Sequence, residues 1–147
     1  VNTFILACDA GSARLFDETG RSEPWRLVET IDNASGRAHV RDLVADHPGR
    51  VRQSGTGAQP PMEPPTDPAE REAERFARRL ASDLDRAFGA RAFDRLVLVA
   101  PPRFLGRLRE ALRPAVAAAV VGEVDRDYTK APAAELEARV RSLLEDR

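Results

Sequence analysis

Leu96-Val97-Leu98-Val99-Ala100, followed at once by Pro101-Pro102, is the stretch on which the fold turns. Its five apolar residues do not alternate with polar ones, which suits a central strand covered on both faces. Such a strand needs helices above and below it, and the flanking sequence supplies them. Upstream, Asp67 can cap a helix, Pro68 suits its first position and Glu70 completes a capping box. Ala73, Phe76, Ala77, Leu80, Ala81, Leu84, Ala87 and Phe88 then recur at three-to-four spacing and make one apolar stripe. Glu74/Arg78 and Arg79/Asp83 are spaced as i,i+4 pairs on the solvated side, and Gly89 is the stop.

Downstream, Pro101-Pro102 opens a second helix that buries Phe104, Leu105, Leu108 and Leu112. Ala118 to Val124 reads as a strand, and Pro132 to Glu145 as a last helix with Leu136, Val140, Leu143 and Leu144 facing in. Toward the N-terminus, Thr3 to Cys8, Ala13 to Asp17 and Trp25 to Ile31 read as strands. The turns between them are short, so these three form an antiparallel meander. Right-handed crossovers then put the fourth strand parallel to the first and beside it. The expected fold is α/β: a mixed five-stranded sheet of order 3-2-1-4-5 with helices on both faces, the ribonuclease H-like topology.

The 147 residues fit one domain spanning 1–147, with a long loop insertion at about 33–67. Within it, 38–45 is a candidate short helix. A net charge of -1 provides no global basic field, so nucleic-acid contact would need a local patch. Lys130 is the only Lys, and the other basic residues are Arg. The sole cysteine, Cys8, cannot form an internal disulfide and reads as a buried structural thiol. The N-terminus has no basic region before its apolar stretch, and no run approaches the length of a membrane span. A cytoplasmic location and no membrane partner are the resulting expectations.

Catalytic motifs are sparse. Asp9 ends the first strand, but the central strand ends in Ala100-Pro101-Pro102, so a two-metal nuclease site lacks its second carboxylate there. His39 and His47 both fall in the insertion, and no nucleophile elbow, phosphate loop or dinucleotide fingerprint occurs. Neither a metal nor a cofactor is expected. Two places are candidates for binding. The insertion carries Arg41, Arg50 and Arg52 together with Gly55 and Gly57, whose backbone N–H groups can turn toward an anion. The crevice at the carboxyl ends of the first and fourth strands would be lined by Asp9, Gly11, Pro102 and Arg103.

Asp46-His47-Pro48-Gly49-Arg50, Phe76-Ala77-Arg78-Arg79-Leu80-Ala81 and the run from Leu96 through Gly106 together resemble the bacterial host-attachment protein family. That family is in turn remotely similar to the central domain of archaeal and eukaryotic class I peptide-release factors. The resemblance implies a role in attachment to host cells and, through the release factors, contact with the ribosome or RNA. In release factors a Gly-Gly-Gln loop precedes a long helix, and its Gln helps position water against the peptidyl-tRNA ester. Gly57-Ala58-Gln59 lies at the comparable place here, with Ala58 where the second Gly would be. Three functions follow as expectations. One is a release-factor-like binding module that contacts RNA through Arg41, Arg50, Arg52, Gly55, Gly57 and Gln59. A second is a peptidyl-tRNA ester hydrolase using Gln59. The third is a regulatory domain acting on a protein partner in attachment.

Overall fold

The computed structural model describes residues 1–20, 23–37 and 67–145. Strand β1 (Thr3–Cys8) pairs antiparallel with β2 (Ser12–Glu18), and β2 pairs antiparallel with β3 (Arg26–Asp32). After helix α1 (Pro68–Gly89), β4 (Arg95–Val99) runs parallel to β1. Helices α2 (Pro102–Ala111) and α3 (Pro114–Ala118) lead to β5 (Val120–Val124), parallel to β4, and α4 (Ala133–Glu145) follows. The sheet order is β3-β2-β1-β4-β5, the expected 3-2-1-4-5.

The apolar runs from Phe4 to Cys8 in β1 and from Leu96 to Val99 in β4 have a direct cause. Side chains alternate across a sheet, and here both faces are covered. Phe4, Leu6, Cys8, Leu96, Leu98 and Ala100 join the core beneath α1, α2 and α3. Ile5, Ala7, Val97 and Val99 point the other way and meet Leu136 and Val140 of α4. The edge strand β3 buries only Ile31 among its seven residues, and Leu27 and Val28 stay exposed.

Several local expectations are corrected. The stretch Ala118 to Val124 is not one strand: Pro114 starts a helical turn that buries Val116, and the strand begins at Val120. Pro at the first helical position commits the chain to helical φ before the β-branched residues take over. Asp67 does cap α1, its carboxylate accepting from the Ala69 N–H at 3.1 Å. Glu70 does not turn back toward Asp67 as a capping box requires; it faces Arg103 at 3.4 Å and Arg107 at 3.5 Å on α2. Glu74 pairs with Arg78 at 3.0 Å, whereas Asp83 pairs with Arg86 instead of Arg79. Helix α1 does end at Gly89, as expected, while the left-handed residue that follows it is Arg91, at φ 63°. Residues 34–37 are helical, so the expected loop insertion begins with a helical turn. The short helix expected at 38–45 lies outside the described residues.

Candidate functional site

The carboxyl ends of β1, β4 and β5 share one side of the sheet because these three strands are mutually parallel. In such sheets the crevice beyond the strand ends is the customary ligand position. Here it holds a cavity of about 300 Å³ lined by Asp9, Ala10, Asp67, Ala69, Glu70, Ala73, Pro101, Arg103, Phe104, Arg107 and Asp127. Asp9 and Arg103 of the expected crevice residues line it, while Gly11 and Pro102 stand outside that lining.

Asp9 both ends β1 and shapes the turn. Its Oδ1 accepts from the N–H groups of Gly11 at 2.8 Å and Ser12 at 3.0 Å, and its own N–H donates to the Ser12 carbonyl at 2.9 Å. A short carboxylate that satisfies two successive amides is the usual chemistry of a tight turn. The other oxygen, Oδ2, lies 3.5 Å from Thr129 Oγ1.

The segment after β5 supplies the second carboxylate. Asp127 accepts from the Thr129 N–H at 2.8 Å and from Thr129 Oγ1 at 2.6 Å. Burial pushes the Asp9 carboxyl up from its ordinary range, and the neighbouring Asp127 carboxylate adds to that rise, against the opposing pull of the Gly11 and Ser12 amides. The Asp9 carboxyl therefore keeps its proton to higher pH than an ordinary aspartate. On β2, Arg14 donates Nη2 to the Tyr128 carbonyl and lies 5.5 Å above the Phe16 ring. Its Nε is buried with no hydrogen-bond partner among the described residues, and burial lowers its pKa while Asp127 opposes that shift.

Cys8 sits immediately before Asp9 but is fully buried, and burial raises its thiol pKa far out of the reactive range. Among the described residues no group of three or more His, Cys, Asp and Glu gathers around a possible metal position. No helix among them is long and apolar enough to cross a membrane.

A second structure borders the crevice. Asn33 is buried and bonds in three directions. Its N–H donates to the Gly11 carbonyl at 2.9 Å, its Nδ2 to the Ala10 carbonyl at 2.8 Å, and its Oδ1 accepts from Arg75 of α1 at 3.4 Å. Gly36 then packs directly on the Ala10 carbonyl, and Arg37 packs on Gly11. Arg41, Arg50, Arg52, Gly55, Gly57 and Gln59, like His39 and His47, lie outside the described residues. What is described is where their segment leaves, at Arg37 against Gly11 of the β1–β2 turn, and where it returns, at Asp67 on the crevice wall.

Residues 4–140 match the family model described as a protein required for attachment to host cells. The chain belongs to that host-attachment family. Membership matches the resemblance carried by the motifs on α1, β4 and α2. Among solved structures, an archaeal protein is similar at 8% identity and a TM-score of 0.46. The alignment covers 99% of this chain and 38% of that one. No curated protein matches the host-attachment chain.

Asp127, Thr129 and Asn33 were missed by sequence reasoning. Asp127-Tyr128-Thr129 does carry a usable signal, an Asp two residues before a Thr directly after a strand, which is the spacing of a side-chain-closed turn. Nothing in that signal tells which distant carboxylate the turn will meet.

One expected result follows from the carboxylate pair. Because the Asp9 pKa is raised on folding, this group favours the folded state most at low pH. Its contribution falls as the pH rises from the unfolded carboxylate value through the folded one. Asp127→Asn removes the like charge while keeping an oxygen for Thr129. In the variant Asp9 should titrate at lower pH, as read by its ¹³C carboxyl shift, and the acid-to-neutral loss of stability should shrink. An Asp9 midpoint that stays or rises would show that the two groups do not interact.

Proposed function

We propose that this host-attachment protein is a binding module that grips an RNA phosphate backbone, as on a ribosome, through the Arg- and Gly-bearing residues that follow Arg37. The observation that carries this reading is the anchoring of both ends of that segment at one edge of the sheet. Asn33 and Gly36 clamp its start onto the turn after β1, and Asp67 starts α1 beside the same crevice. Anchoring a segment at both ends lowers the ordering cost of binding. Its Arg41, Arg50 and Arg52 can pair with phosphate oxygens in a planar, two-pronged geometry that Lys cannot reproduce. Gly55 and Gly57 leave backbone N–H groups free to approach the same oxygens, and Gln59 adds an amide.

The test is fluorescence anisotropy with a labelled single-stranded RNA across a salt series, alongside co-sedimentation with ribosomes. Binding should weaken as salt rises through counterion release. The Arg50→Ala/Arg52→Ala variant should bind more weakly, with its salt slope reduced by about 1.4. If neither RNA nor ribosomes bind at low salt, or if the double variant leaves the slope unchanged, the reading fails.

A further inference from the structure

We propose that the crevice at the carboxyl ends of β1 and β4 binds a small organic cation, an amine whose ammonium group lies between Asp9 and Asp127 and whose apolar part lies over Ala73 and Phe104. The inference goes beyond the RNA reading and uses none of residues 38–66. It rests first on the cavity, whose volume of about 300 Å³ lies at the small end of the range for ligand pockets. The floor is apolar, built by Ala69 and Ala73 of α1 and Phe104 of α2.

The charges on the walls are unequal. Four carboxylates, Asp9, Asp67, Glu70 and Asp127, stand against two guanidiniums, Arg103 and Arg107. Both guanidiniums face Glu70, at 3.4 and 3.5 Å. Asp67 is engaged by the first turn of α1. Arg14, behind the pair, donates Nη2 to the Tyr128 carbonyl and keeps its positive charge, which acts on Asp127. Two carboxylates, Asp9 and Asp127, thus stand against one guanidinium, and the excess negative charge resides there. An ammonium group has three donors and full positive charge, so it can bond both carboxylates at once. A hard divalent cation is a poorer match. It takes six or more oxygens, whereas the described residues bring no three acidic or imidazole ligands to one point, and it would have no use for the apolar floor.

The probe is benzylamine, with benzyl alcohol as its neutral counterpart, titrated into the full chain and followed by amide chemical shifts. Benzylamine should give saturable shifts at Asp9, Ala73 and Phe104, and benzyl alcohol should bind at least about tenfold more weakly. Asp127→Asn should weaken benzylamine by a similar factor. Ala73→Leu, which fills the floor without touching the carboxylates, should abolish its shifts. Equal binding of amine and alcohol would overturn the proposal, as would unchanged affinity in Asp127→Asn. Magnesium displacing the amine from the same signals would give the site to a metal instead. Should Asp127→Asn fail to fold, the amine-to-alcohol ratio and Ala73→Leu decide the matter: shifts that survive in Ala73→Leu also overturn it.

Discussion

Leu98→Ala should lower the unfolding free energy by about 2–5 kcal/mol. Leu98 is fully buried at the middle of β4, the strand between β1 and β5. Its side chain points into the layer beneath α1, α2 and α3. Three features keep that site from collapsing around a cavity. The backbone is held on both sides, by β1 and by β5. The neighbouring aromatics are already engaged with one another, Phe4 with Phe93 at 4.8 Å between centroids and Phe76 with Phe104 at 6.1 Å. The opposite face of the strand is itself packed by Val97 and Val99 on α4, so the strand cannot shift across the sheet to fill the void. The loss is a large part of the roughly 5–15 kcal/mol by which a domain is usually stable. Urea unfolding would check it: the midpoint should fall with little change in slope. Leu27→Ala on the edge strand is the control. Leu27 is 51% exposed, and its loss should cost under about 0.5 kcal/mol. Comparable losses at the two positions would mean that the helix layer does not close over β4 as described.

The same residue explains why so much of the architecture was legible. The run from Leu96 to Ala100 is apolar at every position, and only a strand with helices on both faces makes that affordable in water. Once it is central and parallel to β1, the meander of β1, β2 and β3 has one side left to occupy. The helix stripes of α1 and α2 carry equally local signals, and their buried residues are those the spacing picks out. The parts that did not show are those decided by distant partners. Glu70 has the spacing of a capping box, but Arg103 and Arg107 from α2 compete for it and win, which no local pattern contains. Asp9 reads as a turn residue and is one. Its second role as half of a carboxylate pair depends on Asp127, which arrives from the far end of the chain after β5. Asn33 looks like ordinary loop chemistry until Ala10, Gly11 and Arg75 are all placed around it. A binding crevice assembled from several strand ends is in this sense a product of topology, and a single sequence displays only its separate pieces.

Gly36→Ala should detach the residue 33–37 turn from the sheet at a cost of about 1–3 kcal/mol. A Cβ at this position would overlap the carbonyl oxygen of Ala10 and stand 2.8 Å from its carbonyl carbon and 2.7 Å from Asn33 Nδ2. The first two are backbone atoms of the β1–β2 turn, which Asp9 holds through the Gly11 and Ser12 amides, so they cannot give way cheaply. Relief has to come from the turn itself. Moving it breaks the bond from Asn33 Nδ2 to Ala10 and the bond from the Asn33 N–H to Gly11, and leaves a buried amide without partners. Amide exchange would locate the damage: the Asn33 and Arg37 protons should lose protection while Leu98 keeps its own. RNA affinity should fall with them if the segment after Arg37 needs its anchor, and the crevice should keep its response to benzylamine, since Asp9 lies in the β1–β2 turn that its own bonds to Gly11 and Ser12 hold in place, and the other residues assigned to the amine come from α1, α2 and the segment after β5. Gly106→Ala supplies the contrast. A Cβ there meets nothing within 4 Å, in the middle of α2, so that variant should be unchanged or more stable by up to about 1 kcal/mol through helix propensity alone. Equal stability of Gly36→Ala and the parent, with Asn33 still protected, would mean that the turn does not rest on Ala10, and the anchored start of the segment proposed to bind RNA would lose its physical basis.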